Sequence, residues 1–201
     1  MKKILSLMLV LMANCSLQAG TSVDWYDGAG FYPHGAADVT SATPGTGIAA
    51  SQAVIWQLIW AGGNNAIDIV DTGNSAGGYV YNDDVVLATR NVPANDPTYT
   101  EWVYGTAGQF SLFQSGTTYA GVFYQRVLSS TTPSVGDWYY NSPTLAAVNW
   151  TSGDPDQVFD GNSNPSLGGD AMNVQIVPEP SSMALLAIGL GVVALRRMRR
   201  S

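Results

Sequence analysis

Few side chains in this 201-residue chain could do chemistry. His34 is the sole histidine, in the turn-like stretch Phe31-Tyr32-Pro33-His34-Gly35, and the only cysteine is Cys15. A zinc site draws on several imidazoles or thiolates, so one His and one remote Cys argue against a metal of that kind. His34 reads as a loop residue. A hydrolase of glycosides needs two carboxylates placed across a bond. Glu101 is the one glutamate between Gly20 and Val177, and no aspartate stands at a spacing that marks it as the partner. A Ser-His-Asp triad is open on composition alone, but no nucleophile elbow is expected. The expectation is a protein that is not an enzyme and uses no cofactor.

Oxygen ligands are more plentiful. Asp154-Pro155-Asp156 is followed by Asp160-Gly161-Asn162-Ser163-Asn164, and hard oxygens at alternate loop positions suit calcium. Counted from Asp160, however, Pro165 stands where an EF-hand loop needs glycine, and Ala171 where it needs glutamate. The EF-hand fails. Asp154, Asp156 and Asp160 remain a weak calcium candidate beside the plainer reading, an Asx-turn loop, and no metal is assigned. Six Trp and ten Tyr offer another chemistry, because rings stack on apolar faces while their polar tips hydrogen-bond. Trp138-Tyr139-Tyr140 is the densest group and the candidate sugar-binding face. A solvent-facing strip would favour that use; burial of the rings would favour core packing.

Charge narrows the partners. Between Gly20 and Val177 thirteen Asp and one Glu face only Arg90 and Arg126, a formal charge of −12 with no lysine. Nucleic acid is not expected, since phosphate binding rests on clustered Lys and Arg. An Arg inside a strand needs a carboxylate partner when buried, so Arg90 or Arg126 is expected to pair with an aspartate such as Asp83, Asp84 or Asp137.

The elements that must position these residues are short. Gly and Pro interrupt the middle of the chain too often for long helices. The intervals are rich in β-branched and aromatic residues, and predict strands at 54–60, 67–70, 78–81, 85–89, 100–104, 109–113, 119–128, 138–141 and 173–177. Val54 to Trp60 is apolar on both alternating faces and reads as a central strand, with a short helix from near Ser51 as its competitor. Gly20 to Gly47 shows no pattern and reads as an irregular or disordered edge. No internal repeat is present. The fold class expected is all-β: a single antiparallel β-sandwich or jelly-roll-like domain over residues 20–176. Without a cysteine in that body, stability must come from its apolar and aromatic core.

The two ends read differently. Met1 to Ala19 opens with Lys2 and Lys3, continues through the apolar run Ile4 to Ala13 and ends in Leu17-Gln18-Ala19, the three parts of a secretory signal peptide. Cleavage is expected between Ala19 and Gly20. A lipoprotein signal through Cys15 is weaker, because Asn14 rather than a small residue precedes it. At the other end stand Val177-Pro178-Glu179-Pro180, an uncharged run from Met183 to Leu195, and the basic stop Arg196, Arg197, Arg199 and Arg200. The run predicts a hydrophobic helix, yet thirteen residues reach only about 20 Å against a bilayer core of about 30 Å. That is short for a lasting transmembrane anchor. Arginines beside the run stay cytoplasmic, and the signal peptide sends the body across, so two cues place residues 20–176 outside.

This order of motif, Gly-bearing helix and terminal Arg cluster over residues 177–201 resembles the PEP-CTERM sorting domain, the tail recognised by exosortases. The resemblance implies export across the inner membrane, removal of the tail near Pro-Glu-Pro, and a place at the cell surface or in an extracellular exopolysaccharide or biofilm matrix. Its implied partners are an exosortase-type processing enzyme, the inner membrane during export, and exopolysaccharide. It covers the tail alone and implies nothing of the body. The function expected is a structural or adhesive component of that matrix; the alternative is a carbohydrate-binding module, with or without calcium.

Overall fold

The computed structural model describes residues 20–27, 31–32, 53–94, 108–147, 157–161 and 170–178. The signal peptide predicted over 1–19, the strand predicted over 100–104, the helix predicted over 183–195, His34 and Glu101 lie outside them. Among the described residues every regular element is a strand, and no helix is long and apolar enough to cross a membrane. The strands in chain order are β1 (Thr21–Asp27), β2 (Phe31–Tyr32), β3 (Val54–Trp60), β4 (Val85–Val92), β5 (Gly108–Ser115), β6 (Val122–Leu128), β7 (Trp138–Asn141), β8 (Leu145–Ala146), β9 (Gln157–Asp160), β10 (Asp170–Ala171) and β11 (Val174–Gln175).

The main sheet is antiparallel, six strands in the order β11-β7-β6-β3-β4 with β8 added to β6. β3 stands between β4 and β6, as its two apolar faces predict, and it is buried along almost its whole length. Alternation splits the sheet's side chains into two sets. Val54, Trp56 and Leu58 of β3, Phe123 and Val127 of β6 and Tyr140 of β7 join one core cluster. Ile55 and Leu128 join a second cluster, and Ile59 and Tyr124 a third, on the opposite face.

The first face meets a three-stranded sheet, β5-β1-β9. Trp25 of β1 packs edge-on against Trp56, with ring centroids 5.3 Å apart, and Phe31 does the same at 5.1 Å. Edge-to-face contacts of this kind add stability beyond area burial. Gln125 of β6 ties the sheets together: its Nε2 donates to the carbonyls of Tyr26 (3.0 Å) and Phe159 (2.9 Å), and its Oε1 accepts from Trp56 Nε1 (2.9 Å). A fully buried amide needs such partners, because an unmet polar group costs about 1–3 kcal/mol.

Three expectations are corrected here. Thr21–Asp27, in the stretch that shows no pattern in the sequence, is the middle strand of the smaller sheet, with Thr21, Val23, Trp25 and Asp27 all buried. The alternation is present, but Thr, Ser and Asp occupy half of it, and the register with β5 shifts between Val23 and Trp25. The sheets are also not wholly antiparallel, since β1 pairs with β9, and β2 with β10, in parallel. Finally, Ile67–Val70 and Gly78–Tyr81 are not strands. They meet only at one bridge, Val70 to Val80. Local turn chemistry wins: Asn74 Nδ2 donates to the Val80 carbonyl and its Oδ1 accepts from Gly77 N, while Gly78 and Tyr79 adopt φ of 82° and 66°. Residues 61–84 thereby fold over the second face of the main sheet, and Ala61, Val70 and Val80 enter the clusters there.

Boundaries moved less. β7 has its predicted bounds, β4 runs on to Val92, and β6 begins at Val122 because Gly121, at φ 100°, ends the preceding segment.

Candidate functional site

The second face of the main sheet carries the polar centre of the molecule. Arg126 on β6 is wholly buried. Its Nε donates to Asn141 Oδ1 (2.8 Å) and its Nη2 to the Asp68 carbonyl. The guanidinium also lies 5.2 Å from the ring centre of Tyr124 and 5.5 Å from that of Tyr139, near enough for cation–π attraction. Strand alternation puts Tyr124, Arg126 and Asn141 on one face, and the 61–84 segment brings Asp68 and Asp84 over them.

Asp84 is 5 % exposed. Its Oδ2 accepts from the Tyr124 hydroxyl at 2.6 Å and from Asp68 N at 3.1 Å. Burial raises its pKa above the ordinary carboxylate value and the neighbouring Asp68 adds to this, whereas the hydrogen bonds and Arg126 act the other way. Burial likewise pushes the Tyr124 phenol far up, Arg126 opposes that, and Asp84 adds to it. Tyr139 is raised by burial against the pull of Arg126.

For Arg126 the carboxylate pairing predicted from sequence is therefore altered. Arg126 is buried, but its hydrogen bonds go to a carbonyl and an amide while its Nη1 has no hydrogen-bond partner, and Asp84 meets it as a neighbouring charge. Asp83 instead accepts from Gly63 N, Asn64 N and the amides of Asn64 and Asn82, closing a turn. Asp137 accepts from Ser134. A strand can reach backbone oxygens in an overlying loop, and no sequence spacing reports that.

Between the 74–80 segment and the sheet lies a cleft of about 680 Å³. Ile55, Gln57, Val86 and Thr89 contribute from β3 and β4, with Tyr79 and Asp84 from the overlying segment. Gln57, 1 % exposed, donates through Nε2 to the Gly78 carbonyl at 2.9 Å. Its Oε1 and the Asp84 Oδ1 are buried with no hydrogen-bond partner. Ser75 at this rim belongs to Gly73-Asn74-Ser75-Ala76-Gly77, which has the Gly-x-Ser-x-Gly spacing of a nucleophile elbow. An elbow needs a strand-to-helix turn; here the segment is a run of turns that leads to the Val80 bridge.

The residues singled out by sequence fall elsewhere. Tyr139 and Tyr140 are buried at 6 % and 4 % on opposite faces of β7, and Trp138 is half-buried against the core. Tyr140 packs on Phe31 and donates its hydroxyl to the Gly161 carbonyl (2.8 Å). The three rings form no common solvent-facing strip. Asp160 closes β9, opposite Tyr26 in the parallel register, while Asp154 and Asp156 lie outside the described residues. Among the described residues no group of three or more His, Cys, Asp or Glu could hold a metal ion. Gly20 is buried and leads directly into β1; Ala19 is outside the described part.

At the C-terminal end Ile176 is 2 % exposed, and its backbone is pinned twice: Gly136 N donates to the Ile176 carbonyl (2.9 Å) and Ile176 N to the Asp137 carbonyl (2.8 Å). The next residues, Val177 and Pro178, are exposed. Glu179, Pro180 and the arginines 196, 197, 199 and 200 lie outside the described residues. Residues 177–200 match the family described as the PEP-CTERM protein-sorting motif. The motif implies an exported protein sorted by an exosortase, with a membrane-associated precursor. No curated protein and no solved structure matches the chain.

Proposed function

We propose, from a body that ends where a PEP-CTERM sorting signal begins, that this chain is a non-catalytic component of the cell surface or its exopolysaccharide matrix. Its role there is structural or adhesive, and the tail is removed once the inner membrane has been crossed. The observation that carries this reading is the C-terminal junction. Ile176 is the last buried residue among those described, and the motif starts at the next position, in exposed chain. A processing enzyme thus meets its signal outside the core. We read the two sheets that share the first core cluster as the layers of a β-sandwich.

An exported body with no internal cysteine relies on packing and hydrogen bonds, and its buried aromatic pairs and Gln125 supply them. Its excess of acid suits an exposed, soluble body.

Expression in hosts with and without an exosortase, followed by fractionation and intact-mass analysis, tests the reading. The expected result is loss of about the last twenty residues only where the exosortase is present, with the residue count set by the motif-to-terminus span. An unprocessed chain held in the membrane of both hosts would make residues 183–195 a plain anchor and remove the support for a matrix role.

A further inference from the structure

The cleft over β3 and β4 has one-sided chemistry. Its two deeply buried unpartnered atoms, Gln57 Oε1 and Asp84 Oδ1, are both acceptors. Buried polar atoms in folded proteins are nearly always satisfied, and each exception calls for an account. Here both side chains line the same opening, of about 680 Å³, a size at which small-molecule sites are found. Neither acceptor is free to turn and satisfy itself. Gln57 is held through its Nε2 on the Gly78 carbonyl, and Asp84 through its Oδ2 on Tyr124 and Asp68.

Ile55, Val80 and Val86 supply aliphatic lining beside Tyr79, with Asn74, Ser75 and Thr89 as further polar members. The wall also packs closely on β4, since a Cβ on Gly78 would lie 2.7 Å from Val86 Cγ2. We propose that this cleft binds a small neutral polyhydroxy compound, a single sugar ring or cyclic polyol, with neighbouring hydroxyls donating to Gln57 Oε1 and Asp84 Oδ1. A compound of this class has apolar C–H surface for the aliphatic wall and donors for the two oxygens. A hard cation fits less well. It takes six to eight oxygens, and Arg126 already supplies positive charge beside Asp84. The inference rests on the cleft alone and stands whether or not the tail is processed.

The test is saturation-transfer NMR on the detergent-solubilised full chain, with D-glucose, D-galactose, D-mannose and myo-inositol as probes, and calcium chloride and methylammonium chloride in parallel arms followed by Tyr and Trp fluorescence. Saturable transfer to at least one hydroxyl probe is expected. Asp84→Asn should weaken it about tenfold, in line with one lost charge-assisted hydrogen bond. Thr89→Trp, a change at an exposed rim position, fills the opening without entering the core and should abolish transfer while leaving the melting temperature in place. Transfer to none of the four probes, transfer unchanged in Thr89→Trp, or a response to calcium or methylammonium only would overturn the proposal.

Discussion

Arg126 concentrates the polar energetics of the body in one side chain. It is the only buried cation among the described residues, and it serves the Asp68 carbonyl, Asn141, two tyrosine rings and the field around Asp84. Arg126→Met should therefore cost about 3–5 kcal/mol, the range for removing one member of a buried charge cluster, measured by denaturant unfolding; a loss under about 1 kcal/mol would contradict that role. Asp84 carries a pH signature of its own. Its folded pKa is raised above the ordinary 3.8, so the folded state holds the proton more tightly than the unfolded chain does. Its contribution is then present below that value and is lost as pH rises through the raised one. Compared with Asp84→Asn, the natural protein should lose ground as pH climbs from the ordinary carboxylate range toward neutrality, and a difference independent of pH would refute this. The residue pattern made part of the centre legible. An arginine inside an apolar strand signals burial, and that expectation holds. Its partners were not legible, because Asp68 and Asn141 lie 58 and 15 positions away and offer a main-chain oxygen and an amide rather than a carboxylate.

Among elements, strands with clean alternation were read with their true bounds, and turn-rich stretches were not. Val54–Trp60 and Trp138–Asn141 show dense β-branched and aromatic residues between breakers. The 61–84 segment has equally apolar fragments, yet Asn74, Gly78 and Tyr79 commit it to turns, and its place over the sheet depends on close approach at glycine. Gly78 and Gly136 separate the two reasons for a glycine. Both have positive φ, but a Cβ at Gly78 would press on Val86 and Gln57, while at Gly136 it would meet nothing within 4 Å. Gly136→Ala should show only the left-handed backbone cost of about 1–2 kcal/mol. Gly78→Ala should add about 1–3 kcal/mol of overpacking. Equal unfolding free energies for the two variants would mean that the 74–80 segment is not seated against β4 as described.

At the scale of the whole molecule, the all-β class and the sorting tail were both open to inspection of the sequence, the first from breaker spacing and the second from a motif in fixed order. The smaller sheet was hidden, since its middle strand is half polar and its β9 partner enters in parallel from more than a hundred residues away. The junction with the tail is where architecture and sorting meet. A chain ending after Pro178 should melt as the longer chain does, whereas one ending after Gln175 should lose about 2–5 kcal/mol with the buried Ile176 side chain; identical melting of the two would show that Ile176 is not part of the core. That junction also sets a leash. From Ile176 to the start of the uncharged run at Met183 the chain can reach no farther than about 25 Å even when fully drawn out. On the proposed reading, with residues 183–195 held in the bilayer until processing, the body would ride within that distance of the lipid headgroups, its Gly136–Asp137 end turned toward them. A cutting enzyme would have to work in that narrow gap, and release of the tail would be the first moment at which the body is free to tumble.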